Sequence, residues 1–149
     1  MIRPAGLGVK SVHYVVRRNG ASHVVSAKAQ AEVNRRAVVD ARPRERYRGD
    51  DEPVDARPGH IPGALNVPCR EHLDETGRFL SPQVIRDTFL ELGIVDGGDV
   101  ISYCGSGVTA CHNLLALEVA GLGLGRLYPG SWSQYSATIL PASTGPSPR

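Results

Sequence analysis

Short apolar runs alternate with helix-favouring stretches along most of the chain, and that alternation restricts the architectures open to it. Residues 37–39 (AVV), 64–67 (ALNV), 100–103 (VISY) and 124–128 (LGRLY) read as short strands. Ser81-Pro82 is a helix start, an N-cap hydroxyl followed by proline at the first helical position. Ile85, Phe89 and Leu92 then fall on one helix face, and Gly93 supplies the stop. A second helix is expected after the loop at 104–109, running to about Ala120 with Val108, Cys111, Leu115 and Val119 as its apolar face. Near the N-terminus, 9–18 reads as a strand, Asn19-Gly20 as a turn, 24–26 as a strand, and the AKAQAEVNRR stretch after Ser26 as a helix. Alternation of this kind argues for an α/β domain with a mostly parallel central sheet and helices on both faces.

The length of 149 residues suits one domain. Three parts are expected: a loosely defined segment over 1–23, the α/β domain over 24–137 and a disordered tail over 138–149. A hydrophobic content of 41% with 21% charged residues excludes wholesale disorder. The formal charge of +2 does not define a nucleic-acid binder, and no apolar run reaches the roughly 20 residues of a membrane-spanning helix. No apolar stretch follows the N-terminus as in an export signal, and three cysteines suggest no disulfide framework. The expected compartment is therefore the cytoplasm, with no membrane or nucleic-acid partner. Residues 41–63 form a long loop rich in Arg, Asp, Pro and Gly, and loops of that length in compact domains are usually functional. Its arginines read mostly as solvated charges beside Asp50, Asp51 and Glu52, with one or two set aside for an anion pocket.

The segment over 100–121 carries the chemistry: strand, cysteine, small-residue loop, helix. Cys104 falls at the carboxyl end of a strand, where open α/β sheets place their ligand sites. Gly105 and Gly107 let the loop turn its N–H groups inward, and the following helix aims its positive end at the same point. Such surroundings stabilise a thiolate, or a terminal sulfur attached to it. Alone, a cysteine ending a strand is equally well read as a small buried apolar side chain; the glycines and the helix start favour chemistry. Cys111 reads as core packing and Cys69 as a loop residue without a catalytic role. His112 reads as a hydrogen-bonded helix histidine. No CxxC or HxxxH spacing supports a metal site, and no cofactor is expected. A cysteine phosphatase would need an arginine where this chain has Ala110.

The chain resembles a rhodanese domain, in particular the catalytic C-terminal half of the thiosulfate/3-mercaptopyruvate sulfurtransferases. The segments that carry the resemblance are VVDARPRERYRG (38–49), GHIPGALNVP (59–68), GRFLSPQVIRDTF (77–89), YCGSGVTACHNLLALEVAG (103–121) and LYPGSWSQYSA (127–137). The resemblance implies a sulfur acceptor at Cys104, a cradle of Gly105, Ser106, Gly107, Val108 and Thr109, and a substrate-contacting arginine at Arg46. It implies a small-molecule sulfur donor and a thiol acceptor such as thioredoxin, or cyanide. CGSGVT is similar to the mercaptopyruvate-preferring form of the loop, whereas the thiosulfate-preferring branch tends to carry CRKGVT. Asp40 and Arg42 match framework residues, and Gly130, Ser131 and Trp132 match a segment near the active face, where Trp132 is equally a core residue. Two departures stand out. Relatives of this type usually carry two tandem domains, and this chain resembles the second. A second substrate arginine falls near Asp55 here, with Arg57 close enough to replace it. A non-enzymatic persulfide carrier and an inactive fragment are the alternative readings.

Overall fold

The computed structural model describes residues 17–18, 21–22 and 36–148. β1 (Arg17–Arg18) and β2 (Ala21–Ser22) pair antiparallel on either side of Asn19-Gly20. The remainder of the strand expected over 9–18, the strand at 24–26 and the helix after Ser26 lie outside the described residues. β3 (Ala37–Asp40), β4 (Leu65–Asn66), β5 (Val100–Tyr103) and β6 (Arg126–Leu127) form one sheet in the order β4-β3-β5-β6. Every neighbouring pair in it is parallel. The strands at 64–67 and 124–128 are thus shorter than the apolar runs suggest. Among the described residues the sheet is accompanied by α1 (Arg44–Arg48), α2 (Pro82–Glu91), α3 (Ala110–Val119) and α4 (Ser131–Ser136). α1 is a short helix inside the long loop over 41–63. No helix among the described residues is long and apolar enough to cross a membrane.

Parallel strands need crossover connections, and these cover both faces of the sheet. All four residues of β5 are accordingly buried. Side chains alternate between two cores. Val39 and Val100 meet Ile85 and Phe89 of α2 and Ala116 and Leu117 of α3. Val38, Ile101 and Tyr103 meet Ile61, Tyr128, and Trp132 and Tyr135 of α4. Helices therefore lie on both faces, as the α/β reading requires.

The α2 start behaves as its sequence dictates: the Ser81 hydroxyl accepts the Val84 amide, and Pro82 occupies the first turn. Ile85 and Phe89 are fully buried, but Leu92 is 38% exposed. It sits at the C-cap, where the chain turns away through Gly93 at φ +78°, and Ile94 enters the core instead. The expected apolar face of α3 is also corrected. Val108, Cys111 and Leu115 are exposed, and of the expected face Val119 alone packs against the core, half-buried. The buried side is Ala110, Asn113, Ala116 and Leu117. Small alanines let this helix lie close against the sheet, and Asn113 Nδ2 donates to the Val67 carbonyl at 2.8 Å. The helix is apolar almost all round, so periodicity alone does not select its inner face.

The C-terminal residues 141–148 run back over the loop. Ser143 exchanges backbone hydrogen bonds with His60 at 2.8 and 3.0 Å, and Gly145 donates to the Arg48 carbonyl at 2.7 Å. The backbone of His60 thereby finds its partners, a requirement that overrides the polar composition of the tail.

His72 is buried in the 3-10 turn Cys69–His72, its ring 5.3 Å from Phe89 and stacked on His112 at 6.4 Å. Burial, reinforced by His112, pushes its pKa down to about 4. An unfolded chain takes up that proton near the ordinary histidine value of about 6.5. His72 is therefore neutral in both states above that value and destabilises the fold as the pH falls from there towards about 4. Urea unfolding near pH 7.5 and near pH 5 should show the wild-type chain losing about 2 kcal/mol more than His72→Gln.

Candidate active site

At the carboxyl edge of the sheet three chain segments lie side by side. Ala41 donates its amide to the Tyr103 carbonyl at 2.8 Å, and Cys69 donates to the Ala41 carbonyl at 3.1 Å. This brings Cys104, just beyond β5, into one buried cluster with Ala41, Cys69 and Ala110. A cavity of about 520 Å³ opens over them. Its walls come from residues 41–46, residues 68–71 and the Cys104 loop, including Gly105, Ser106, Val108 and Thr109. The sheet edge is where parallel α/β folds place ligands, because strand ends and helix starts converge there.

Cys104 is 2% exposed. Its Sγ accepts the Gly107 amide at 3.1 Å. Gly107 adopts φ +88°, and a Cβ there would fall 2.6 Å from the Pro129 carbonyl oxygen. A side chain is disfavoured on both counts. On the other side, the Cys104 amide donates to Ser131 Oγ at 3.1 Å, and that hydroxyl donates to the Tyr128 carbonyl at 2.9 Å. Ser131 itself sits at φ +50°, unusual for a residue with a side chain. The amides of Trp132 and Ser133 bond the carbonyls of Cys104 and Gly105 at 2.8 and 2.9 Å. The cysteine loop is thus held from α4 as well as from its own strand.

A chain of charges lies behind the cavity wall. Arg42 is buried and bonds Asp40 through Nε and Nη2, the latter at 2.8 Å. It also reaches the Gly59 carbonyl at 2.6 Å and Glu52 at 3.2 Å. Burial opposes its charge, but the Asp40 carboxylate and its hydrogen bonds prevail, so its pKa rises. Its guanidinium lies 4.9 Å from the centre of the Trp132 ring. Glu52 in turn accepts Arg46 Nη2 at 2.7 Å, and Asp55 accepts the same nitrogen at 2.9 Å. Burial pushes the Glu52 carboxyl up, but Arg46 and the Asp55 and Val54 amides win and hold it below its ordinary range. Arg46 lies against the cradle: a Cβ at Gly105 would sit 3.5 Å from its Nη1.

The structure brings Cys104, Gly105, Ser106, Val108, Thr109 and Arg46 to one cavity. Gly107 serves beneath it through its amide. Trp132 is fully buried and its indole N–H bonds the Arg57 carbonyl, a core role. Arg57, expected as the replacement for a second substrate arginine, does not line this cavity. It bonds the carbonyls of Ser136 at 2.8 Å and Leu140 at 3.0 Å, at the end of α4. Cys69, read as a plain loop residue, is a cavity wall, and burial pushes its thiol pKa up. The Nδ1 of His112 is buried without a hydrogen-bond partner among the described residues, contrary to the reading of a satisfied histidine. Glu52 and Asp55 are invisible as pinning groups in the sequence, because their charged neighbours make them look solvated; the Glu52 side chain is only 4% exposed.

This fold has known counterparts. The Rhodanese-like domain family matches residues 24–138, and the chain belongs to that family. It is 47% identical over 113 residues to the "Probable 3-mercaptopyruvate sulfurtransferase" of Pseudomonas aeruginosa, covering 73% of this chain and 39% of that protein. The 3-mercaptopyruvate sulfurtransferase of Homo sapiens is 40% identical over 116 residues, covering 76% of this chain and 39% of that one. Among solved structures, the 3-mercaptopyruvate sulfurtransferase from Leishmania major superposes with a TM-score of 0.64 at 36% identity, over 78% of this chain and 33% of that chain. The chain therefore matches 39% of the length of each of the two curated relatives.

Gly107→Ala tests the cradle. The added methyl meets the Pro129 carbonyl at 2.6 Å in a left-handed backbone. The variant should lose about 1–3 kcal/mol of stability, read from urea unfolding. Its folded fraction should alkylate at Cys104 more slowly than the wild-type chain, because the amide that faces the sulfur is displaced.

Proposed function

We propose that the chain is a sulfurtransferase that works through a persulfide on Cys104. The observation that carries this reading is the Cys104 sulfur at the floor of an open cavity, held by the Gly107 amide 3.1 Å away. Sulfur transfer needs a strong nucleophile and a site that tolerates anionic sulfur, and no acid–base pair is required. The Cys104 thiolate attacks the sulfur of 3-mercaptopyruvate. A sulfur–sulfur bond forms, the donor carbon–sulfur bond breaks, and its electron pair leaves on the pyruvate enolate, which takes a proton from water. An acceptor thiolate or cyanide then attacks the outer sulfur and returns the Cys104 thiolate. Arg46, pinned through Nη2 with Nη1 beside Gly105, faces the donor. Gly105, Ser106, Gly107, Val108 and Thr109 form the cradle around the transferred sulfur. Ser106 carries no charge, which favours a mercapto-acid over dianionic thiosulfate.

A second reading keeps the Cys104 cavity and changes how the sulfur arrives there. Under that reading Cys104 is loaded by a protein partner and acts as a carrier. One experiment separates the two. Incubation with 3-mercaptopyruvate alone should add about 32 Da, one sulfur atom, to Cys104. Cyanide should then release it as thiocyanate, and Cys104→Ala should abolish both signals. No mass gain from 3-mercaptopyruvate or thiosulfate favours the carrier; equal activity in the variant removes Cys104 from the reaction.

A further inference from the structure

Four arginines line the cavity over Cys104: Arg42, Arg44, Arg46 and Arg70. Three are committed to carboxylates. Arg42 pairs with Asp40 and Glu52, Arg44 with Glu71, and Arg46 with Glu52 and Asp55. Among the described residues, Arg70 has no carboxylate partner and its guanidinium makes no hydrogen bond. It is exposed on the wall built by residues 68–71, next to Cys69, which shares a buried cluster with Cys104. Its charge is felt at that wall: it partly offsets the burial that pushes the Cys69 thiol up, and it adds to the burial that pushes His112 down.

The consequence for an incoming anion follows from the partners. Arg46 already faces two carboxylates whose side chains are each 4% exposed. An anion binding there must share the guanidinium with both, or displace Asp55 and leave it buried without its counter-charge, or displace Glu52 and leave it with Arg42 alone. Arg70 can accept an anion with nothing displaced, and its planar fork matches a carboxylate. We propose that Arg70 docks the anionic end of the sulfur donor, the carboxylate of a mercapto-acid, and thereby sets donor affinity at the Cys104 cavity. This rests on the sulfurtransferase reading for its substrate and adds to it the residue that selects the donor.

The test uses the wild-type chain, Arg70→Ala and Arg70→Lys, and has one arm that needs no turnover. Pyruvate, a carboxylate without sulfur, should slow alkylation of Cys104 by neutral iodoacetamide in the wild-type chain. Arg70→Ala should need about tenfold more pyruvate for the same protection, and Arg70→Lys should recover part of it. In turnover, Arg70→Ala should raise KM for 3-mercaptopyruvate about tenfold with kcat within about twofold, the split expected of a lost binding contact. Protection and KM within about twofold of wild type in Arg70→Ala overturn the proposal, as does a wild-type chain that pyruvate does not protect. If pyruvate protects through Arg70 but 3-mercaptopyruvate places no sulfur on Cys104, the anion site stands and the sulfurtransferase reading falls.

Discussion

The buried pair of Asp40 and Arg42 is the interaction on which the site's architecture rests. Asp40 ends β3 and is fully buried, and Arg42 follows two residues later, equally withdrawn from water. A charge so placed is tolerated only when its partner and its remaining donors are satisfied, and removing one partner of such a pair commonly costs about 3–5 kcal/mol. Arg42 meets that condition by tying four parts of the chain together: Asp40, the Gly59 carbonyl, Glu52 and the face of Trp132. Glu52 then holds Arg46 against the cysteine loop. A single buried cation thus fixes the long loop over 41–63 onto the sheet, and the cavity wall inherits its shape from it.

The cysteine loop is specified largely by backbone. Its position depends on the Gly107 amide from one direction and on Ser131 and the first amides of α4 from the other. Ser131 holds a left-handed backbone and a fully buried hydroxyl that serves both as acceptor and as donor. Strain of this kind persists only where the surroundings enforce it. Here the enforcement couples the segment after β6 to the sulfur-bearing residue, although they are far apart in sequence.

Much of this is legible in the residues. The strand–cysteine–loop–helix order, the Ser81-Pro82 start and the parallel alternation each follow from local chemistry, and each has its counterpart in the structure. The inner face of α3 is not legible, because a helix with apolar residues on nearly every side carries no periodic signal, and close approach to the sheet selects alanines over larger side chains. The partners of Arg46 are equally hidden. Glu52 and Asp55 stand close to Asp50, Asp51 and Arg57 in the sequence. Only the folded loop distinguishes a carboxylate that points inward from one that meets water. Arg57 looks available for substrate by its spacing, yet the carbonyls at the end of α4 claim it.

Arg44 and Glu71 join the two walls of the cavity through an exposed contact, with Arg44 Nε 2.8 Å from Glu71 Oε1. Exposed pairs of this sort contribute no more than about 1 kcal/mol and weaken as ionic strength rises. The rim is therefore latched lightly. The floor beneath is fixed differently, by buried ion pairs and backbone amides that dissolved salt screens far less.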